Sequence, residues 1–110
     1  MTIARTVRRG EIWLHAFASP DKRRPVMILS RDQALAVMRT ALVAPVTSTI
    51  HGLPSEVVVD GRAGLKHTSA VNLDHVQCVR QRDLVQYVGT VSASQLREVC
   101  AALAVAVGCD

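Results

Sequence analysis

An arginine and a threonine at the ends of two predicted strands could together hold a phosphate group. Arg24 stands directly before Pro25 and an apolar run, and Thr47 ends the next apolar run along the chain. If the two strands pair, the start of the first lies near the end of the second, so a guanidinium and a hydroxyl would meet at one sheet edge. Both groups donate hydrogen bonds to phosphate oxygens. The alternative is a surface arginine and an ordinary strand-ending threonine.

An RNA phosphodiester is a substrate that such a pair could process. RNA carries its own nucleophile, the 2′-hydroxyl, so a protein need only move a proton, align the attack and stabilise charge on phosphorus. No metal ion is required for this. Arginine is a poor general base, so Arg24 is expected to act by electrostatics or by donating a proton unless a histidine contributes. His51 and His67 lie in polar loops from which they could reach a phosphate.

The elements that must position these residues are short. Alternating or β-branched runs, separated by turn residues, predict seven strands at 11–17, 26–29, 41–46, 56–59, 69–73, 76–79 and 84–88. One or two helical turns are expected within 31–39. This pattern predicts a mainly β fold, a small and strongly bent antiparallel barrel. Trp13 is expected to pack at the barrel edge rather than stack on a base.

A C-terminal α-helix completes the predicted fold. Ser92 and Gln95 have the spacing of a capping box, and Gly108 suits the position just after a helix. The spacing of five side chains predicts one apolar face, on which Cys100 would be a small core residue; they are Leu96, Val99, Cys100, Leu103 and Val107.

Length and charge limit the number of domains and indicate the kind of binding partner. The 110 residues, 49% of them hydrophobic, suit one domain at 10–110, preceded by a flexible basic arm at 1–9. The net charge is +4, and the excess is local: residues 1–39 hold eight Arg and Lys against three Asp and Glu, whereas residues 40–110 hold five against six. A basic segment favours an acidic partner such as nucleic acid, although a solvated basic face has the same composition.

Several classes of function have little support. The chain has no glycine-rich phosphate loop, no His-Glu-x-x-His helix and no paired-carboxylate motif, which argues against nucleotide hydrolysis and zinc proteolysis. Its three cysteines lack Cys-x-x-Cys spacing, so neither a disulfide framework nor a zinc site is indicated, and no cofactor is expected. No apolar run is long enough to span a bilayer, and we expect a cytoplasmic protein.

Three ordered motifs resemble those of the MazF/PemK toxin family. They are RGEIWL at 9–14, RPVMILS at 24–30 and VAPVTS at 43–48, and SAVNLD at 69–74 with the C-terminal helix fits the same pattern. The resemblance covers about residues 8–107. It implies an SH3-like barrel of the CcdB/MazF type, a homodimer, and a toxin of a type II toxin-antitoxin system that a cognate MazE-like antitoxin neutralises.

The resemblance also implies an activity and its residues. The expected activity is metal-independent, sequence-specific cleavage of single-stranded RNA to 2′,3′-cyclic phosphate and 5′-hydroxyl ends, which inhibits translation and growth. Arg24 matches the catalytic arginine before proline, and Thr47 matches the catalytic threonine. RNA-binding residues are expected in the basic run and in the loop after Thr47; they are Lys22, Arg23, Ser48, Thr49 and His51.

One segment departs from the family pattern. The loop after the first strand is shortened, and Asp21 either replaces the family's loop acid or leaves that role absent. Two alternatives share the expected fold: a CcdB-like toxin that binds DNA gyrase without cutting RNA, and a degenerate module that only binds RNA or antitoxin. The Arg-Pro strand start combined with the Thr-Ser strand end favours the nuclease.

Overall fold

The computed structural model describes residues 6–16 and 22–110. It contains seven strands, two α-helices and three single 3-10 turns. The strands are β1 (Glu11–Ala16), β2 (Arg23–Ile28), β3 (Thr40–Thr47), β4 (Glu56–Val59), β5 (Ser69–Asn72), β6 (Gln77–Arg80) and β7 (Leu84–Thr90). The helices are α1 (Asp32–Val37) and α2 (Ala93–Ala106), and the 3-10 turns are Gly61–Ala63, Leu73–His75 and Gln81–Asp83. In these two ranges, no helix is both long and apolar enough to cross a membrane.

The predicted mainly β fold with a C-terminal helix is confirmed, and each predicted strand is present within a few residues of its expected bounds. The largest shift is in β2, which begins at Arg23 and not at Val26, so that Pro25 lies inside the strand. β2 pairs with β3 only over Val26–Ile28, so Pro25 stands beyond that ladder, where no backbone donor is needed. Phe17, the predicted end of β1, lies outside the described residues.

All strand pairs are antiparallel, and the strand order is β4-β5-β3-β2-β1-β7, with β6 also paired to β3. The eight residues of β3 therefore serve three partners. Thr40–Val43 pair with β6, Val43–Pro45 pair with β2, and Val46–Thr47 pair with β5. Within the described residues the two outer strands, β4 and β7, are not hydrogen-bonded to each other. The predicted barrel is therefore an open, bent sheet, because its outer strands β4 and β7 are not paired with each other in the described part of the chain.

Backbone contact across two glycines bridges the open side instead. A Cβ atom placed on Gly89 of β7 would stand 2.0 Å from the carbonyl oxygen of Ala63, in the turn that follows β4. A Cβ on Gly64, whose φ is +87°, would stand 2.2 Å from the carbonyl oxygen of Val88. Only residues without side chains allow main chains to approach this closely. The segment after β4 is therefore held directly against β7.

Both faces of the sheet are buried, each by its own apolar cluster. Ile12, Met27 and Val46 belong to the cluster beneath α2. Trp13 and Val26, their neighbours in sequence, belong to the cluster that includes Leu35 of α1. Alternate residues of one strand point to opposite faces, which explains why β1 and β2 supply both clusters. Trp13 is 2% exposed, and its indole N–H donates to Glu11, so the predicted packing role is confirmed.

The start of α2 agrees with its capping pattern, and its predicted apolar face is confirmed at three of five positions. The Ser92 hydroxyl accepts a hydrogen bond from the Gln95 N–H at 3.1 Å, and Gly108 has a φ of +75° just after the helix. Val99 is buried and Leu96 and Leu103 pack against the same cluster, but Cys100 is exposed and Val107 is 63% exposed. The core face continues instead through the alanine residues Ala102 and Ala106.

The end of the predicted basic arm packs on the domain. Val7 is buried in the cluster that contains Trp13. The Arg8 N–H donates to Glu11 at 2.7 Å, and the Arg9 N–H donates to Asp32 at 2.8 Å. Arg9 also places its guanidinium 2.9 Å from the Cys100 sulfur. The domain therefore includes residues 7–9, and residues 1–5 lie outside the described part of the chain.

Candidate functional site

The two residues predicted to bind phosphate lie on neighbouring strands and line one groove. The β2–β3 ladder ends at the pair of Val26 and Pro45, and Arg24 and Thr47 each lie two residues beyond it. Arg24 is exposed and Thr47 is half-buried. The short helix α1 connects β2 to β3. The fold thus brings both residues to one groove, and a phosphate site there stays a prediction.

The groove has a volume of about 830 Å³. Its floor is apolar, and Leu14, Pro25 and Pro45 contribute to it. Its polar side chains come from four parts of the chain: β2, the end of β3, the segment that runs into β5, and β7. They are Arg24, Thr47, Ser48, Lys66, His67, Ser69, Gln86 and Tyr87. A groove of this size with two cations and several donors suits an anionic chain molecule better than a small apolar ligand.

The hydroxyl of Thr47 is oriented by the loop that follows it. Its oxygen accepts a hydrogen bond from the backbone N–H of Thr49 at 3.1 Å. A hydroxyl that accepts in this way still has its own hydrogen to donate. Thr47 can therefore offer an O–H donor into the groove from a fixed position, as recognition of a phosphate oxygen requires.

One carboxylate organises the loop between β3 and β4. The Oε1 atom of Glu56 accepts from the backbone N–H of His51 at 3.0 Å and from that of Leu53 at 3.2 Å. Its Oε2 atom is buried and has no hydrogen-bond partner among the described residues. At the end of the same loop, the Ser55 hydroxyl donates to Asp74 at 2.5 Å. These contacts fix the path of the chain beyond Thr47.

The predicted RNA-binding residues divide into two sets. Ser48 lines the groove beside Thr47. The other four are exposed but do not line it; they are Lys22, Arg23, Thr49 and His51. Arg23 precedes Arg24 on the same strand, and successive strand residues point to opposite faces. Asp21, which was considered as a replacement for the family's loop acid, lies outside the described residues.

Three groove residues were not found from the sequence. Lys66 follows Gly64 in a segment with no regular pattern, and Gln86 and Tyr87 belong to a strand more than 35 residues beyond Thr47. Tyr87 also packs edge-on against Trp13, with ring centroids 5.9 Å apart. The available signal was Gly64 in the loop and Gly89 in the strand, since glycine marks close backbone approach. His67, considered because of its polar loop, does line the groove.

The fold and the groove define a small, antiparallel β protein with an arginine, a lysine and hydroxyl donors in one groove. The sequence profile of the PemK-like, MazF-like toxins of type II toxin-antitoxin systems matches residues 8–107. The chain belongs to this family.

Individual relatives agree with the family match. The chain is 48% identical over 103 residues to the probable endoribonuclease MazF5 of Mycobacterium tuberculosis strain H37Rv, covering 93% of this chain and 94% of that protein. The solved structure of the M. tuberculosis toxin MazF-mt6 is 35% identical, with a TM-score of 0.83, over 91% of this chain and 98% of that one. A MazE-MazF structure from Deinococcus radiodurans is 25% identical, with a TM-score of 0.82, over 97% of this chain and 100% of that one.

Proposed function

We propose that this chain is the toxin of a type II toxin-antitoxin system and acts as a metal-independent, sequence-specific endoribonuclease on single-stranded RNA. The products are a 2′,3′-cyclic phosphate and a 5′-hydroxyl, and the cleavage inhibits translation and growth. The observation that carries the proposal is that Arg24 and Thr47 line one groove in a chain of this family. The relative MazF5 is named as a probable endoribonuclease.

Arg24 and Thr47 have separate roles in this proposal. When the 2′-oxygen attacks, negative charge grows on the non-bridging phosphate oxygens, and preorganised donors stabilise it most. Arg24 supplies the fixed positive charge and several N–H donors. Thr47 supplies one O–H donor, which its loop contact orients. The two side chains thereby favour the transition state over the ground state.

The RNA strand follows the groove and continues over the basic face beside it. Ser48 and Lys66, which also line the groove, contact phosphate groups of the same strand. Lys22, Arg23, Thr49 and His51 contact flanking nucleotides outside the groove. Bases are selected largely by polar groups, because the chain has 3% aromatic residues and Trp13 is buried.

The proposed partners follow from the family and its structures. A toxin of this family has a cognate antitoxin, and the D. radiodurans structure contains MazE together with MazF. For this chain we infer a MazE-like antitoxin, a homodimer and a cytoplasmic site of action, where messenger, ribosomal and transfer RNA are all accessible.

The test is cleavage of a long single-stranded RNA in excess chelator, with the ends mapped. Wild type is expected to cut at discrete positions and leave 5′-hydroxyl ends. Arg24→Ala is expected to lower the rate by about 100-fold or more, since removal of one oxyanion donor costs about that much. Arg97→Ala is the matched control, because this arginine is exposed on α2 and does not line the groove, and it is expected to retain the wild-type cleavage rate.

Two outcomes would contradict the proposal. Intact RNA after incubation with wild type would remove the nuclease and favour the gyrase-binding or binding-only alternatives. Equal cleavage by wild type and Arg24→Ala would remove the proposed site.

A further inference from the structure

We propose that His67 is the general base of the cleavage reaction, an inference that rests on the proposed ribonuclease function. Cleavage by 2′-hydroxyl attack needs a group that takes the 2′-proton, and neither Arg24 nor Thr47 is suited to this. His67 supplies the one imidazole among the described residues that line the groove.

The other groove side chains are poorly suited to take a proton at neutral pH. Arginine and lysine are protonated at neutral pH, and a guanidinium has no acceptor at all. Hydroxyl, amide and phenol groups are weak bases at that pH. No carboxylate lines the groove in the described part of the chain. An imidazole, by contrast, is neutral in a large fraction of molecules at pH 7 and accepts a proton readily.

The segment that carries His67 is held at both ends. At its start, Gly64 lies against the carbonyl of Val88, which fixes the segment to β7. At its end, the buried Ser69 begins β5, and its hydroxyl donates to the carbonyl oxygen of His67 at 3.0 Å. The imidazole is exposed on a segment anchored in this way. A rigid backbone keeps a catalytic base near the proton that it removes, so the entropic cost of positioning the base is not incurred in each turnover.

His67 also shares the groove with the donors. Thr47 is the register partner of Ala70 in β5, so the chain just before β5 runs beside the loop that follows Thr47. In this proposal Arg24 and Thr47 hold the scissile phosphate, and the 2′-hydroxyl of the neighbouring ribose faces His67. The charged and titratable side chains facing His67 in the groove are Arg24 from β2, Lys66 from its own segment and Tyr87 from β7.

The remaining histidines have other surroundings. His51 is outside the groove, and its backbone is held by Glu56. His75 lies beside Asn72, with a ring nitrogen 3.3 Å from the amide. His15 is buried in β1 and does not line the groove.

The proposed step balances as follows. A neutral ring nitrogen of His67 takes the proton from the 2′-hydroxyl as the 2′-oxygen forms its bond to phosphorus. The bond from phosphorus to the 5′-oxygen breaks, and that oxygen takes a proton from solvent water. The imidazolium then returns its proton to solvent, and Arg24 stays protonated throughout. No oxidant, reductant or further reactant is consumed.

The test compares single-turnover cleavage rates of wild type and His67→Gln from pH 5 to pH 8. In wild type the rate is expected to fall at the acid end of this range, because a protonated base cannot take the 2′-proton. His67→Gln is expected to lose about 100-fold at pH 7 and to lose this acid limb. Binding of an RNA with a 2′-deoxy nucleotide at the cleavage site should change less than threefold. His75→Gln is the control, because His75 is exposed and does not line the groove, and it should keep both the rate and the acid limb.

A second variant separates chemistry from structure. His67→Gly removes the side chain at an exposed position, and added imidazole is expected to restore part of its activity in a concentration-dependent way. If wild type cuts RNA, Arg24→Ala is inactive and His67→Gln cuts at the wild-type rate, the base assignment is wrong and the proposed function stands. If weaker binding of the deoxy substrate accounts for the whole loss, His67 binds RNA and is not the base. A wild type without cleavage would overturn both proposals.

Discussion

Replacing Gly89 by alanine tests the contact that bridges the open side of the sheet. The added Cβ would stand 2.0 Å from the Ala63 carbonyl oxygen and 2.6 Å from its carbonyl carbon. Both obstructing atoms belong to the backbone, so no side-chain rotation relieves the overlap. The turn after β4 would have to move about 1 Å away from β7 before the contact became an ordinary one.

Overpacking in well-packed proteins typically costs 1–3 kcal/mol, and the upper end applies here because main chain must move on both sides. We therefore expect Gly89→Ala to lower the free energy of unfolding by about 3 kcal/mol. In a chain of this length this corresponds to a fall in Tm of about 10 °C or more. The same movement displaces Lys66 and His67, so the rate of RNA cleavage should fall as well.

The assay is chemical and thermal denaturation at one protein concentration, because association of subunits changes apparent stability. Gly61→Ala is the matched control, since a Cβ at Gly61 meets no atom within 4 Å. It should leave stability unchanged or raise it by up to about 1 kcal/mol. If Gly89→Ala were as stable as Gly61→Ala, to within about 0.5 kcal/mol, the close approach of the two segments would be refuted.

Two further changes probe the groove. Glu56→Gln removes the charge that holds two backbone N–H groups of the loop after Thr47, so stability should fall by about 1–2 kcal/mol. In Glu56→Gln the KM for RNA should then rise more than kcat falls. Glu98→Gln, on the exposed side of α2, is the control and should change neither constant. A wild-type KM in Glu56→Gln would contradict the role of Glu56 in holding the loop. RNA affinity should fall as salt rises, and Lys66→Ala should make this slope shallower by about 0.7 while Arg97→Ala does not. A salt-independent affinity would argue against phosphate contacts in the groove.

Local patterns in the sequence located the elements and two of the residues that line the groove, Arg24 and Thr47. Arg24 and Thr47 could be identified because each stands next to a strand boundary marked by proline, or by a cluster of hydroxyl residues. The capping pattern of Ser92 likewise located the start of α2, because its hydrogen bond involves residues three positions apart. Interactions of this kind depend on short stretches of chain, so a single sequence contains them.

The part of the groove formed by Lys66 and Gln86 depends on long-range packing, which residue spacing does not encode. These two residues line the same groove as Arg24 because the turn after β4 lies against β7. In the sequence near either residue, only a glycine indicates that contact. The position of Cys100 has the same explanation. Helical spacing is compatible with several apolar faces. Contact with the sheet determines which face is buried, and it buries Ala102 and leaves Cys100 exposed.

The three partnerships of β3 have a consequence for how the protein fluctuates. A strand at the edge of a sheet can open by breaking one ladder, but β3 cannot separate from its neighbours without breaking ladders to β6, β2 and β5. Local opening of β3 therefore approaches the free energy of global unfolding, whereas β4 and β7 can fray independently. Thr47 ends this least mobile strand. Its hydroxyl therefore stays in place when the outer strands fray, so the donor at the end of β3 is already positioned when a ligand enters the groove.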